Sequence, residues 1–167
     1  ICPSMKIKLP DGLKRINTAA FLDCVNVNFG TLPESLEMIG NSAFSNCDSI
    51  VDLVIPKNVT TLGKYAFGNC NNLKTAEIGL SQYAISNNLF TGCNKLTTLR
   101  LNSPTVATVT SNASNYPVSS DRLKDVDLIV PSFLVNAYKL HEYWYNFKSI
   151  TGFSTAEIQD WVVNNPV

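Results

Sequence analysis

Residues 55–78 read "IPKNVTTLGKYAFGNCNNLKTAEI", and the echoes of this stretch along the chain decide the fold. Its phenylalanine recurs as Phe21, Phe44, Phe67 and Phe90, and its cysteine as Cys24, Cys47, Cys70 and Cys93, both at a step of 23 residues. Other columns keep that step: Ala20, Ala43 and Ala66; Ile16, Ile39, Leu62 and Ile85; Val27, Ile50, Leu73 and Leu96. So do Leu9-Pro10, Leu32-Pro33 and Ile55-Pro56. A fixed period of this size marks stacked units, each too small to bury its own apolar face and stable only against its neighbours.

Within one unit, "LKTAEI" (73–78) alternates apolar and polar residues as a half-buried strand does. Its counterparts "IVDLVI" (50–55) and "LTTLRL" (96–101) fit L-x-x-L-x-L, the strand pattern of leucine-rich repeats. The stretch "TTLGKYAF" (60–67) then returns the chain with Leu62, Ala66 and Phe67 inward, through a helical turn or an irregular loop. Four coils cover residues 9–101, and Ile7 and Leu9 fall in the columns of Leu53 and Ile55, as the end of a preceding coil. Starting at Ile1 rather than at a methionine, the chain reads as the cut piece of a longer one.

After residue 101 the pattern degrades. Residues 102–121, "NSPTVATVTSNASNYPVSSD", lack A-F-x-x-C and read as a loop-like convex segment before a last strand, "VDLIV" (126–130). Ser132 is placed to N-cap a helix running to about residue 145, with Leu134, Ala137, Tyr138 and His141 near helical spacing. Such a helix covers the open end of the stack. Ser154 and Glu157 form a capping box for a second short helix with Ile158, Trp161 and Val162 on one face. The expected division is a solenoid at 1–131, of five to six coils with the last degenerate at 102–131, and a cap and tail at 132–167.

At these repeats the chain resembles the BspA-like (Treponema pallidum-type) leucine-rich repeat family, whose pattern is close to I-P-x-x-V-x-x-I-G-x-x-A-F-x-x-C-x-x-L-x-x-I-x-L. The match covers roughly residues 7–101, and "LIVPSFLVNAYK" (128–139) resembles the ending common in these proteins. Coil four departs from it, with Leu89 for the usual Ala and "GLSQ" (79–82) for Pro-x-x-Val. The resemblance implies an α/β repeat solenoid, a right-handed horseshoe with a parallel strand ladder on one face and a short helical or irregular convex side. It also implies an extracellular or cell-surface bacterial protein concerned with adhesion, with no catalytic residues to carry over.

Thirteen Lys+Arg against thirteen Asp+Glu give a net charge of zero. That argues against nucleic acid or an anionic membrane as the main partner, because both reward a basic excess. No apolar run approaches the ~18–20 residues of a membrane span. A monomer without cofactors is expected.

The cysteines invite a chemical reading. A nucleophilic thiol needs a base, and the single histidine, His141, lies in the terminal segment. Zinc needs tetrahedral convergence, which a straight row of thiols cannot supply. Disulfides between neighbouring coils would need Cβ vectors that face each other. The favoured reading is a ladder of small buried hydrophobes, beside the Phe ladder. Cys2 falls outside that register as an exposed residue open to intermolecular oxidation. Tyr138, Tyr143, Trp144, Tyr145 and Phe147 read as cap packing or an exposed patch, and Asn58 and Asn112 match glycosylation sequons of use only in a eukaryotic source.

Repeat proteins bind through their strand-lined face. Alternation puts two rows outward there: Lys6, Phe29, Asp52, Thr75 and Thr98, then Lys8, Thr31, Val54, Glu77 and Arg100. Asp125, Asp127 and Ile129 are expected to extend them, and Phe29, the one outward aromatic, is the expected anchor. Two functions are compatible with this chain: a non-enzymatic surface domain binding a protein or glycan through these rows, or a structural spacer without a ligand.

Overall fold

The structure, a computed structural model, describes residues 5–79, 84–109, 116–154 and 156. Along the chain run β1 (Met5–Lys6), β2 (Arg15–Ile16), β3 (Val27–Asn28), β4 (Met38–Ile39), β5 (Asp52–Ile55) and β6 (Thr61–Leu62). There follow β7 (Thr75–Ile78), β8 (Ala84–Ile85), β9 (Thr98–Leu101), β10 (Thr108–Val109), β11 (Asp127–Pro131), one short helix α1 (Val135–Leu140) and β12 (Ser149–Phe153). Every strand pair is parallel, as stacked coils demand. One side carries a five-stranded sheet in the order β12-β11-β9-β7-β5, and a second side carries β2-β4-β6 and β8-β10.

The register restates the sequence period in space: Asp52 lies beside Thr75 and Thr75 beside Thr98, each partner 23 residues on. Between the sheets, identical side chains stack on themselves. The rings of Phe21, Phe44, Phe67 and Phe90 follow one another at 5.2, 5.2 and 6.2 Å. Leu53, Ala76, Leu99 and Leu128 fill the column under the strands. Each coil thus completes the apolar surface of the next, which no coil could do alone.

The side of the coils opposite the five-stranded sheet contains no helix among the described residues. Each coil instead makes two left-handed turns at fixed places: Ala19, Ser42, Tyr65 and Asn88 at the first, and Asp23, Asn46, Asn69 and Gly92 at the second. L-residues avoid this region, and Asn, Asp and Gly tolerate it best. These turns aim backbone groups along the stack. The Phe21, Phe44 and Phe90 N–H groups donate to Ala43, Ala66 and Pro117 carbonyls, each at 2.8 Å. The 23-residue coil therefore closes its hydrogen bonds without a helix.

Coil spacing is tight enough to dictate glycine. A Cβ on Gly63 would lie 2.2 Å from the Asn41 nitrogen, and one on Gly40 would lie 2.5 Å from that of Thr18. Both neighbours are backbone and cannot step aside.

The sheet is interrupted between the first and second coils. Strand β3 pairs only with β1, in a register of 22 rather than 23 residues: Met5 beside Val27 and Lys6 beside Asn28. A one-residue slip turns every side chain to the opposite face. Asn28 therefore points outward and Phe29 inward, and Gly30 in the left-handed region (φ +61°) absorbs the change of direction. The expectation of an outward Phe29 is thus corrected. Its ring is 5% exposed and packs edge-on against Phe21 at 4.8 Å and Phe44 at 5.0 Å. It fills the space that Gly30, in the Leu53 column, leaves empty.

The C-terminal segment differs from its sequence reading in three ways. The helix is one and a half turns long, preceded by a 3-10 turn at Ser132–Leu134, and ends before His141, which adopts an extended backbone. Ser132 does not cap it: its hydroxyl donates to the Phe153 carbonyl at 2.6 Å. The chain then returns as β12, which lies beside β11 from Asp127–Ser149 to Pro131–Phe153 and lengthens the same sheet. The expectations placed on Cys2, Asn112, Glu157, Ile158, Trp161 and Val162 lie outside the described residues.

Candidate functional site

On the five-stranded sheet the pleat presents three rows. The first is Asp52, Thr75, Thr98, Asp127 and Ser149; the second is Val54, Glu77, Arg100, Ile129 and Thr151; the third, Asn102, Pro131 and Phe153, follows the same alternation but is buried. Asp127 and Ile129 take the places expected of them. Asp125 does not: it sits in a 3-10 turn and accepts a hydrogen bond from Arg122 at 2.6 Å. Lys6, Lys8 and Thr31 are exposed but lie beyond the interruption, so the rows do not run unbroken from coil one, and Lys8 pairs with Asp11 at 3.3 Å.

Neighbouring strands hold the polar side chains of this face. The Thr75 hydroxyl donates to Asp52 at 2.6 Å. Asn102 donates to the Glu77 carboxylate at 2.7 Å and accepts from Arg100 Nε at 3.1 Å, and Arg100 lies 4.0 Å from Glu77. The Arg100 guanidinium also rests 3.9 Å above the Phe153 ring, a cation–π contact across the one intervening strand, β11. Asp127 accepts from Ser149 at 2.6 Å and from Lys148 at 2.9 Å, and these two bonds hold its carboxyl below the usual carboxylate range. The part played by Phe153 and Lys148 was missed from the sequence, because "KSITGF" breaks the 23-residue columns.

Where the sheet is interrupted, the face opens into a cleft of about 560 Å³ between coils one and two. Its floor is apolar, with Phe29, Phe44, Leu53 and Phe67, and its rim carries Glu34 and Asp52. Among the described residues no lysine or arginine lines it. Val54, on the adjoining strand, is 54% exposed. At one end the Ser49 hydroxyl donates to the Val27 carbonyl, a side-chain link between the coils on either side of the gap.

The cysteines belong to the core. Cys24, Cys47, Cys70 and Cys93 are free thiols, all buried. The Cys47, Cys70 and Cys93 thiols each donate to the Phe carbonyl of the preceding coil, at Phe21, Phe44 and Phe67 and 3.1–3.2 Å. Burial, and then repulsion from Cys70, pushes the Cys47 thiol up to about 12. The hydrogen bond with Cys70, followed by burial, raises Cys93, while the same bond lowers its partner Cys70. Thiols held protonated in this way are poor nucleophiles and poor metal ligands. No group of three or more His, Cys, Asp or Glu side chains converges among the described residues.

The C-terminal aromatics divide. Tyr138, Tyr143, Trp144 and Phe147 are buried, whereas Tyr145 is exposed. Ala107 is gripped twice: its N–H donates to the Tyr138 hydroxyl and its carbonyl accepts from Trp144 Nε1, both at 2.9 Å. The Tyr143 hydroxyl donates to the Val118 carbonyl at 3.2 Å and accepts from the Val118 N–H at 3.3 Å. His141 accepts from the Tyr143 N–H through Nδ1 at 3.2 Å, a turn contact.

The described residues include no helix long and apolar enough to cross a membrane. Comparison with solved structures gives two informative likenesses. The pneumococcal vaccine antigen PcpA superposes with a TM-score of 0.66 at 24% identity, over 89% of this chain and 35% of that one. The T. pallidum leucine-rich repeat protein TpLRR gives 0.53 at 36% identity, over 56% of this chain and 46% of that one. The chain thus spans less than half the length of either. No curated protein matches it. The pattern of the BspA-type leucine rich repeat region matches residues 2–117 in six copies. With its period, its parallel ladders and its paired Phe and Cys columns, the chain belongs to the BspA-type leucine-rich repeat family.

Proposed function

We propose that this chain is a non-enzymatic binding domain of a surface or secreted bacterial protein, engaging a protein or glycan through its strand-lined face. The observation that carries the reading is the lattice of cross-strand bonds on that face. Arg100, Glu77 and Asn102 are held by one another and by Phe153, so a partner meets side chains already ordered, which lowers the entropy lost on binding. Family membership supports the extracellular placement and the absence of catalysis. In the same reading, residues 1–131 are the solenoid, curved as a horseshoe, and residues 132–167 are its cap, bound through Ala107 and Val118. The isolated domain is a monomer.

A spacer without a ligand is the second reading, and the same pairing favours it, since a face whose charges satisfy each other also suits plain solvation. Binding to host and bacterial cells and to a glycan array separates the two. Exchanging Glu77→Arg with Arg100→Glu keeps the pair but reverses its order along the face. A loss of at least tenfold in binding is expected from the binding reading. No binding by either form leaves the spacer, and undiminished binding removes the Glu77–Arg100 rows as the contact.

A further inference from the structure

We propose that the cleft beside β5 is a docking groove for an extended segment of a partner protein, which adds as a strand to the β5 edge and sets a lysine or arginine against Asp52 and Glu34. This deepens the binding reading above and rests on it. The backbone supplies the first argument. Thr75 and Gly79 N–H groups donate to the Val51 and Ile55 carbonyls, so alternate residues of β5 serve β7. In a parallel ladder the residues between them, Asp52 and Val54, then turn their N–H and C=O groups to the opposite side. There β3 would continue the sheet in an unbroken array, but its slip points Asn28 the other way: the Ile7 N–H donates to the Asn28 carbonyl at 2.9 Å. The β5 edge is left facing the cleft, and an open edge is a template for another strand.

The side chains supply the second argument. The cleft's volume of about 560 Å³ falls within the range of specific ligand sites, ~300–1,000 Å³. Its apolar floor suits alternate side chains of an extended segment, every second one facing down. The rim is acidic on both sides, with Asp52 on β5 and Glu34 across the gap, and no cation lines it among the described residues. Charge complementarity therefore selects a basic residue at the rim and disfavours an acidic one. A single strand edge with two carboxylates is recognition machinery for a peptide, whose backbone matches the edge, rather than for a sugar.

The test uses the whole chain and two capped hexapeptides, Lys-Val-Thr-Val-Thr-Lys and its counterpart with glutamate at both ends. Amide NMR follows the Asp52 and Val54 N–H groups during titration, and sedimentation reports association of the chain with itself. The expected result is saturable movement of those two amides by the lysine peptide, binding at least tenfold weaker for the glutamate peptide, and a tenfold loss in Asp52→Lys. Val54→Pro, which removes an N–H facing the cleft and not β7, abolishes binding. The melting temperature of each variant verifies that it is folded, and Asp52→Lys, on the exposed face, keeps the test alive if Val54→Pro unfolds. No amide movement by about 2 mM lysine peptide, enough to occupy most of a site with millimolar Kd, overturns the proposal. So does indifference to end charge, or a dimer of this chain occupying the β5 edge. The lysine peptide failing while the Glu77/Arg100 exchange still abolishes cell binding overturns the groove alone. Failure of the exchange with peptide binding intact overturns the wider face reading and moves binding to the groove.

Discussion

Replacing Phe29 by alanine separates the observed register from the one the sequence period implies. With β3 in the 23-residue register, Phe29 would stand on the exposed face, and its removal would alter stability by no more than ~0.5 kcal/mol. In the slipped register the ring is 5% exposed, wedged between Phe21 and Phe44 at 4.8 and 5.0 Å. Truncating a buried phenylalanine costs ~3–5 kcal/mol once the residual cavity is included, and the two edge-on ring contacts are lost within that figure. Collapse of the site is restricted, because the neighbouring column residue is Gly30 and has no side chain to move in. Urea unfolding followed by circular dichroism reads the effect. With a slope of ~2 kcal/mol/M, the midpoint falls by ~1.5–2.5 M. A shift below ~0.3 M would refute the slipped register and return Phe29 to the binding face.

Other expectations follow from the same geometry. Gly63→Ala forces a Cβ against the backbone of the preceding coil; it lowers stability by ~1–3 kcal/mol, whereas Gly12→Ala, with open space around it, leaves the melting temperature unchanged. Tyr138→Phe orphans the buried Ala107 N–H and costs ~1–3 kcal/mol, while Tyr145→Phe on the surface stays within ~0.5 kcal/mol, both by denaturant melts. Thiol titration at pH 8 finds Cys24, Cys47, Cys70 and Cys93 unreactive in the native protein and reactive after unfolding; rapid native reaction of all four would contradict their burial. The folded Cys47 thiol, raised to about 12 from an ordinary 9.0, keeps its proton where the unfolded thiol loses it. Its contribution to stability is therefore complete below pH 9 and declines as pH rises from 9 toward 12; a melting temperature flat across that window for wild type, relative to Cys47→Ala, would refute the assignment.

What the sequence made readable was whatever repeats. The Phe and Cys columns, the inward Leu53 column and the outward places of Asp52, Thr75, Thr98, Glu77 and Arg100 all follow from the 23-residue step, and the strand registers of β5, β7 and β9 agree with them. Phe29 failed because identity at a fixed step was assumed to mean identity of orientation. Gly30 was the available signal: a glycine in a column otherwise apolar leaves room that a neighbouring ring can take, and it permits the backbone turn that brings the ring in. Strand β12 escaped because "SITGF" is paired through its backbone, which leaves no periodic trace. The helix after Ser132 was overestimated for a related reason. Spacing showed which residues could share a helical face, but not that the Ser132 hydroxyl would bond to Phe153 instead.

The left-handed turns have a consequence for the length of chain that can hold this shape. Ala19, Ser42 and Tyr65 occupy a region that costs an L-residue roughly 1–2 kcal/mol, and within the coil only single turn bonds, from the Leu22, Ser45 and Gly68 N–H groups to their carbonyls, work against it. Further compensation comes from the next coil, whose Asn41 and Lys64 carbonyls receive the Ala19 and Ser42 N–H groups. An excised coil would therefore relax into extended backbone. Order in the array is a collective property with a minimum size, and a break anywhere releases turns progressively away from the cut.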